Sequence, residues 1–159
     1  MSKIATQSEP KQTPKDTALQ KARDLIAKFE GCKLTAYQCL AGVWTIGYGH
    51  TEGVKEGDKI TVREAGELLK IDTKEFLDCV RKEVGSICNE NQVVALTSFC
   101  FNVGKRKFLK STLLKVVKKN TQDFLGIKTE FLRWVYADKK VLKGLENRRN
   151  IEFEMYKKS

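Results

Sequence analysis

The 159-residue sequence predicts a mostly helical α+β fold, in which a small lobe with a β-hairpin is joined by a long helix to a larger all-helical lobe, with a cleft between the lobes. Three observations support this prediction. Apolar residues recur at helical spacing along most of the chain, one short stretch changes to a period of two, and one helix is apolar on every side. With 41% hydrophobic residues, a chain of this length suits one folded domain.

The chain starts with a polar segment that leads into an amphipathic helix. Residues 1–16 are polar, contain both prolines and show no periodicity, so we expect a flexible tail followed by one domain over 17–159. Apolar residues at helical spacing predict a helix over 18–30, and Thr17 begins a capping-box pattern at its start. Glu30 falls at the C-terminal end of this helix.

A hairpin is predicted over 33–48. Side chains alternate there with a period of two, on both sides of a turn at 40–42. One face of the hairpin carries Gly47 and Gly49 and therefore lacks bulk. A ligand such as a sugar could approach the backbone closely on that face.

Helices account for the rest of the chain. The apolar residues after Asn89 surround their helix almost completely, which predicts a central helix buried in the middle of the domain. Breaks are expected at Gly104, Gly126 and Gly144. The predicted segments are 62–83, the core helix that begins at Asn89, 111–119, 122–136 and 145–157.

Composition limits the classes of function. The net charge of +10 favours a polyanionic partner, although an acid-free basic run such as 105–119 is equally often a solvated helix face. Five cysteines without a Cys-x-x-Cys pair, and a single histidine, argue against a zinc site. A domain of this size does not need a disulfide framework. The chain has neither an apolar run of about 18 residues nor an apolar signal core at its start, so we expect no membrane span and a cytosolic location where it is made.

Three sequence blocks carry a family resemblance. The first is Glu30, eight residues, Cys39, five residues and Thr45, followed by Ile-Gly-Tyr-Gly-His50-Thr51. The second and third blocks are residues 96–104 with 108–114, and residues 131–134 with 144–152. Together they resemble the phage-type lysozymes, or endolysins, of glycoside hydrolase family 24, over about 18–156.

The resemblance implies that Glu30, Cys39 and Thr45 form the catalytic group and that the substrate is the peptidoglycan glycan strand, cut between N-acetylmuramic acid and N-acetylglucosamine. A helix C-terminus and partial burial both disfavour a charged carboxylate, which suits Glu30 as a general acid. A surface glutamate at a helix end is the alternative. With a water on the opposite face of the sugar ring, inversion is expected, which needs carboxyl-like groups roughly 6.5–9.5 Å apart.

Cys39 stands where many relatives place an aspartate that steers the attacking water. A free thiol has a pKa of about 8.5 and is a poor base at neutral pH unless a nearby cation stabilises the thiolate. The alternatives are a small core residue and a disulfide with Cys32. Thr45 offers a hydroxyl that can donate to and accept from water, but β-propensity alone would also explain a threonine in a strand.

The resemblance also implies supporting residues around the cleft. His50, the single histidine, is expected to be structural, with a carboxylate partner that the sequence does not identify. Arg148 is expected to pair with Glu30 and tie the last helix to the first, and an exposed helix arginine is the alternative. The expected substrate-binding residues are Phe101, Asn102 and Ser111. The phenylalanine among them would also suit the core.

The resulting prediction is a monomeric muramidase without cofactor or metal. It acts on peptidoglycan rather than nucleic acid, and it stays in the host bacterial cytoplasm until a separate permeabilising protein releases it to the wall. Two alternatives stay open. A lytic transglycosylase would need Glu30 but no water, because the muramyl 6-hydroxyl attacks instead. A non-catalytic basic module would bind wall polymer or nucleic acid with an affinity that falls steeply with salt, and would not need Glu30.

Overall fold

The structure is a computed structural model that describes residues 16–159, so the expected tail lies outside it except for Asp16. No helix within this range is long and apolar enough to cross a membrane. The helices of the described chain are α1 (Thr17–Phe29), α2 (Val62–Val84), α3 (Glu90–Val103), α4 (Lys105–Lys110), α5 (Thr112–Lys119), α6 (Phe124–Phe131) and α7 (Lys143–Lys157). The strands are β1 (Lys33–Gln38), β2 (Trp44–Gly47), β3 (Tyr136–Ala137) and β4 (Lys140–Val141).

The first helix begins where the sequence predicts, but a different residue caps it. Asp16 is the N-cap of α1, and its Oδ1 accepts a hydrogen bond from the Leu19 N–H at 3.2 Å. The same carboxylate forms an ion pair with Arg81 of α2 at 2.7 Å. The capping box predicted at Thr17 is therefore wrong by one residue, and Asp16 belongs to the folded domain rather than to the tail.

The predicted hairpin is present as strands β1 and β2. The strands pair antiparallel, with Tyr37 opposite Thr45. Ile46 is buried, and the next residue, Gly47, adopts a left-handed φ of +64°. A Cβ at Gly47 would lie 3.5 Å from the Cβ of Ala65, so the glycine allows the strand to lie directly against α2.

Helix α2 joins the hairpin lobe to a helical lobe built around α3. A reciprocal capping box of Thr61 and Glu64 starts α2, and Asn89 caps α3. The side chains of α3 are buried from 92 to 100, which confirms the predicted core helix. Phe99 makes edge-on contacts whose ring centroids are 5.4–6.3 Å apart, and its partners are Phe108, Phe131 and Trp134. The predicted α+β class, with two lobes and a long connecting helix, is confirmed.

The helical lobe departs from the sequence prediction in three places. Two of the expected breaks are wrong, because Gly126 lies within α6 and Gly144 within α7. Helix α4 was not predicted, because Phe108 is its one buried residue and no apolar stripe marks it. The helix predicted over 122–136 ends at Phe131, and a short hairpin of β3 and β4 follows. Its turn residues Asp138 and Lys139 have φ of 49° and 64°, the left-handed conformation that a two-residue hairpin turn requires.

Candidate active site

Glu30 is the C-cap of α1 and is held by the last helix. Its backbone N–H still donates to the Ile26 carbonyl at 3.0 Å, while its own backbone is already extended. The Oε1 atom accepts from Nη1 of Arg148 at 2.8 Å, and the two side chains are 26% and 5% exposed. The predicted pairing of Arg148 with Glu30 is therefore present, although the two residues are 118 positions apart.

The Glu30 carboxylate borders an open cavity of about 470 Å³. The cavity is lined by Phe29, Glu30, Asn102, residues 142–145 and Arg148. A Cβ built at Gly49 would lie 3.9 Å from Oε2 of Glu30, so the segment after β2 passes beside this oxygen. Within residues 16–159, Oε2 has no hydrogen-bond donor, whereas Oε1 is fixed by Arg148.

Cys39 and Thr45 lie together on the β1–β2 hairpin. The Cys39 N–H donates to the Val43 carbonyl at 3.0 Å, and the Thr45 hydroxyl donates to the same carbonyl at 3.0 Å. The backbone N–H groups of Val43 and Ala41 lower the pKa of the Cys39 thiol, and the Thr45 hydroxyl adds a smaller effect of the same sign. In the described chain, neither residue hydrogen-bonds to Glu30, so the hairpin pair and the acid are held independently.

The structure rules out both alternatives considered for Cys39. The side chain is partly exposed, so the residue does not belong to the core. Strand β1 separates it from Cys32, and an extended strand of that length spans about 20 Å, well beyond the roughly 4–7 Å between the Cα atoms of a disulfide. Both thiols are free.

The carboxylate partner of His50 is Asp72. Its Oδ2 lies 2.8 Å from Nδ1 of the imidazole, and Nε2 lies 3.0 Å from the carbonyl of Glu52. Both ring nitrogens are thus used, which fits the structural role predicted for His50. The sequence does not identify Asp72, because nothing in the pattern of α2 marks which of its acids faces the hairpin.

The three predicted substrate-binding residues lie in three different cavities. Phe101 packs on Phe76 with ring centroids 5.1 Å apart and borders a cavity of about 210 Å³ beside His50. Asn102 lines the Glu30 cavity. Ser111 borders a third cavity with Trp134, and is 4% exposed.

Ser111 has a local structural role that the sequence analysis did not consider. Its hydroxyl caps α5 by accepting from the Leu114 N–H at 3.2 Å, and it donates to the Phe108 carbonyl at 2.7 Å. The contact of Ser111 with substrate stays a prediction.

Behind the cavity lies a buried ion network that sequence reasoning missed. Glu152 is fully buried, and its Oε1 accepts from Arg148 at 3.1 Å and from the Ser98 hydroxyl at 2.8 Å. Its Oε2 accepts from Arg149 at 2.5 Å. Arg149 also donates to the side chain of Asn102 and to the backbone carbonyl of Trp134. The spacing of Arg148, Arg149 and Glu152 on one helix would have allowed the ion pairs, but nothing in it indicates burial.

Burial disfavours the charged forms of the side chains in this network, and the opposite charges of their partners offset that effect. Burial raises the pKa of the Glu152 carboxyl, while Arg149 and Arg148 act in the opposite direction. Burial also lowers the pKa of Arg149, and Glu152 opposes that shift. Loss of one partner would leave an uncompensated buried charge, which costs far more than loss of an exposed pair. Within residues 16–159, no cluster of three or more His, Cys, Asp or Glu side chains could hold a metal ion.

Comparisons with known proteins identify the family. The family model described as phage lysozyme matches residues 27–152. The chain is 38% identical over 141 residues to the endolysin of Acyrthosiphon pisum secondary endosymbiont phage 1, which covers 86% of this chain and 95% of that protein. It is 36% identical over 136 residues to the endolysin of Bacillus phage PZA, covering 84% of this chain and 52% of that protein, so the chain spans about half the length of this relative.

A comparison with solved structures supports the same family. The muramidase domain of SpmX from Asticaccaulis excentricus superposes with a TM-score of 0.79 at 32% sequence identity, covering 87% of this chain and 95% of that one. With its sequence match, its fold and the Glu30–Arg148 pair, the chain belongs to the phage lysozyme family.

Proposed function

We propose that this protein is an endolysin that cuts peptidoglycan as a muramidase, by hydrolysing the β-1,4 bond between N-acetylmuramic acid and N-acetylglucosamine. One observation carries the proposal. Glu30 has one carboxyl oxygen fixed by Arg148, and the other lies beside Gly49 at the edge of an open cavity with no donor from residues 16–159. A carboxyl held in this way can direct its proton at a glycosidic oxygen. Membership of the phage lysozyme family supports the choice of substrate.

In the proposed reaction, Glu30 acts as the general acid. Its proton passes to O4 of N-acetylglucosamine as the bond from O4 to C1 of N-acetylmuramic acid breaks. Water adds to C1 from the opposite face of the ring and loses a proton. The muramic acid residue becomes a reducing end with inverted configuration, and Glu30 is reprotonated from solvent.

Cys39 and Thr45 are proposed to handle the water. The lowered pKa of the Cys39 thiol increases its thiolate fraction at neutral pH, so it can accept the proton that the water loses. The Thr45 hydroxyl donates to a backbone carbonyl, which leaves its lone pairs to accept a hydrogen bond from the water.

The test of Glu30 is a turbidity assay on permeabilised cells with Glu30→Gln. The amide keeps the shape of the side chain but carries no acidic proton, and general acid catalysis contributes about 10²–10⁴-fold. We expect that loss in rate, with thermal stability close to wild type. Glu67→Gln, an exposed glutamate on α2, is the matched control and should lyse walls normally. Near-normal lysis by Glu30→Gln would remove the catalytic assignment.

A second candidate reaction rests on the same thiol. With Cys39 in place of a carboxylate, a lytic transglycosylase needs only Glu30, because the muramyl 6-hydroxyl replaces water as the nucleophile. Mass spectrometry of the fragments separates the two reactions, since a 1,6-anhydromuramic end is lighter than a hydrolysed end by one water. We expect hydrolysed ends, and predominantly anhydro ends would replace the muramidase proposal with the transglycosylase.

The proposal extends to partners and location. We propose a monomer that approaches the anionic wall through its net charge of +10, does not use nucleic acid as a substrate, and is held in the host cytoplasm until a separate permeabilising protein releases it. Light scattering of the purified chain tests the monomer. Expression without and with a permeabilising agent tests the location, with lysis expected in the second case only.

A further inference from the structure

Glu152 lies at the centre of the buried network and is connected to the Glu30 cavity through two arginines. It lies four residues after Arg148 and three after Arg149, so all three side chains share one face of α7. Through Arg148 it is connected to Glu30, and through Arg149 to Asn102. Both of these end points line the same cavity.

The orientation of Arg148 is fixed by the hydrogen bonds that its nitrogen atoms donate. The Nε atom donates to Glu152, and Nη2 donates to the Ser98 carbonyl at 3.2 Å. The guanidinium group also lies over the Phe29 ring, 4.6 Å from its centroid. With these contacts in place, Nη1 is directed at Glu30. Glu152 supplies the one negative charge that fixes the Nε edge.

Stability alone does not explain a buried carboxylate at this position. Well-packed apolar side chains of similar volume are often as stable as a buried ion network, or more stable, because charges lose their hydration when they are buried. Glu152 is fully buried and has a donor on each oxygen. A network of this kind defines a single geometry, which a site that must aim a proton requires.

We propose that Glu152 is a positioning residue for the reaction: it holds Arg148, and through it the Glu30 carboxyl, in the orientation that catalysis needs. The inference rests on the proposed function of Glu30. The network is also balanced in charge. Glu30, Arg148, Glu152 and Arg149 alternate in sign, so the four charges cancel when all are ionised.

The test compares Glu152→Gln with the wild type in rate and in pH dependence. Glutamine has one acceptor oxygen instead of two and no charge, so it cannot hold both Arg148 and Arg149 as Glu152 does. The resulting displacement of Arg148 should lower kcat by about 100-fold, the scale expected when a catalytic group is misplaced by about 1 Å. Glu30 would also face an excess positive charge, which favours its ionised form. The alkaline limb of the pH–rate profile should therefore move to lower pH. The charged groups that line the Glu30 cavity are Arg148 and Lys143, and those in contact with Glu152 are Arg148 and Arg149.

Two further variants separate positioning from folding. Glu152→Asp keeps the charge but withdraws the carboxylate by one methylene, so kcat should fall without a shift of the alkaline limb. Glu154→Gln removes an exposed glutamate of the same helix and should leave both readouts unchanged. All variants are assayed at a temperature where circular dichroism shows them folded, and if Glu152→Gln does not fold, Glu152→Asp decides.

A folded Glu152→Gln with wild-type kcat and an unmoved alkaline limb would overturn the inference, as would wild-type kcat in Glu152→Asp when only that variant folds. Glu30→Gln is assayed in parallel so that the two proposals can fail separately. If Glu30→Gln is inactive and the Glu152 variants behave as wild type, only the positioning role is lost. If Glu30→Gln is active, the proposed function itself is lost.

Discussion

The two halves of the candidate catalytic group are held in different ways. Glu30 is fixed by Arg148, a residue 118 positions away that belongs to a buried network behind the cavity. Cys39 and Thr45 are fixed by the local backbone of their own hairpin, through the carbonyl of Val43. The first half is anchored to the buried network, whereas in the second half Cys39 is partly exposed and Thr45 is buried within its strand.

This difference indicates which half of the catalytic group tolerates substitution without loss of stability. A core-anchored group transmits a substitution to its neighbours, because each partner left behind is a buried charge without compensation. A group anchored by a local turn can be exchanged without disturbing the core. We therefore expect changes in the buried partners of Glu30 to affect stability and activity together, and changes at Cys39 to affect activity alone.

The largest effect is expected from Arg148→Met. This substitution removes the cation from both Glu30 and the buried Glu152, and breaking a buried pair typically costs about 3–5 kcal/mol. For a chain of this size the melting temperature should fall by roughly 10 °C, and lysis should fall with it at temperatures where the variant is folded. Calorimetry and the turbidity assay measure the two effects.

Arg133→Met is the matched control for Arg148→Met. Arg133 also pairs with a glutamate, Glu130, but its side chain is 65% exposed and the pair is long, at 3.4 Å. Exposed pairs of this kind contribute about 0–1 kcal/mol at most. Equal losses of stability in the two variants would contradict the contrast between a buried and an exposed ion pair.

The next effect concerns Cys39 and should leave stability nearly unchanged. If the sulfur positions or activates water, Cys39→Asp should retain hydrolysis and Cys39→Ala should lose most of it. The melting temperatures of both should stay close to wild type, because the side chain is partly exposed and outside the core. Mild loss in Cys39→Ala, together with anhydro ends, would instead indicate the transglycosylase reaction.

Alkylation gives a second measurement of the same thiol. Backbone N–H groups lower the pKa of Cys39, whereas burial raises the pKa of Cys88 to about 11 and that of Cys100 still higher. Since the thiolate is the reactive form, a limiting amount of reagent at neutral pH should modify Cys39 before Cys88 and Cys100. Peptide mapping identifies the site. Inhibition should follow in the wild type and not in Cys39→Asp.

The smallest effect is expected at Asp16, far from both halves of the catalytic group. Asp16→Asn keeps a good N-cap but loses the ion pair with Arg81, and each side chain is about two-fifths exposed, so the cost should be within about 1 kcal/mol. The hydrogen bond from Arg81 lowers the pKa of Asp16. The contribution is therefore complete above the unfolded pKa of about 3.9, and it is lost as pH falls through the lower folded pKa.

Urea unfolding at several pH values checks this prediction. The midpoints of the wild type and Asp16→Asn should differ slightly at neutral pH and converge under acid conditions. A difference that persists unchanged in acid would show that the ion pair with Arg81 is not its source.

Local patterns were sufficient to predict much of the fold. The apolar residues of α3 surround that helix completely, so its central position followed from the sequence. The turn at Asp138 and Lys139 could not be predicted in the same way, because neither residue is the glycine that usually marks a left-handed turn position. Helix α4 is held by packing of Phe108, which six residues of sequence do not reveal.

The candidate site likewise contains some residues that the sequence could identify and others that it could not. The motif that carries Glu30, Cys39 and Thr45 is contiguous, so its residues could be named from their spacing. Glu152 and Asp72 could not, because each is one of many acids on a helix and acquires its role from a partner on another element. The burial of Glu152 depends on the docking of α7 against α3, which is a property of the tertiary structure and not of either segment.

The separation of 118 residues between Glu30 and Arg148 also sets an order of events during synthesis. The ribosome makes the acid and its hairpin early, and α7 is the last helix of the described chain. Until α7 has emerged and docked, the Glu30 carboxylate has no guanidinium partner. A nascent or truncated chain can therefore carry the complete sequence motif and still lack the assembled acid, because Arg148 is supplied by α7.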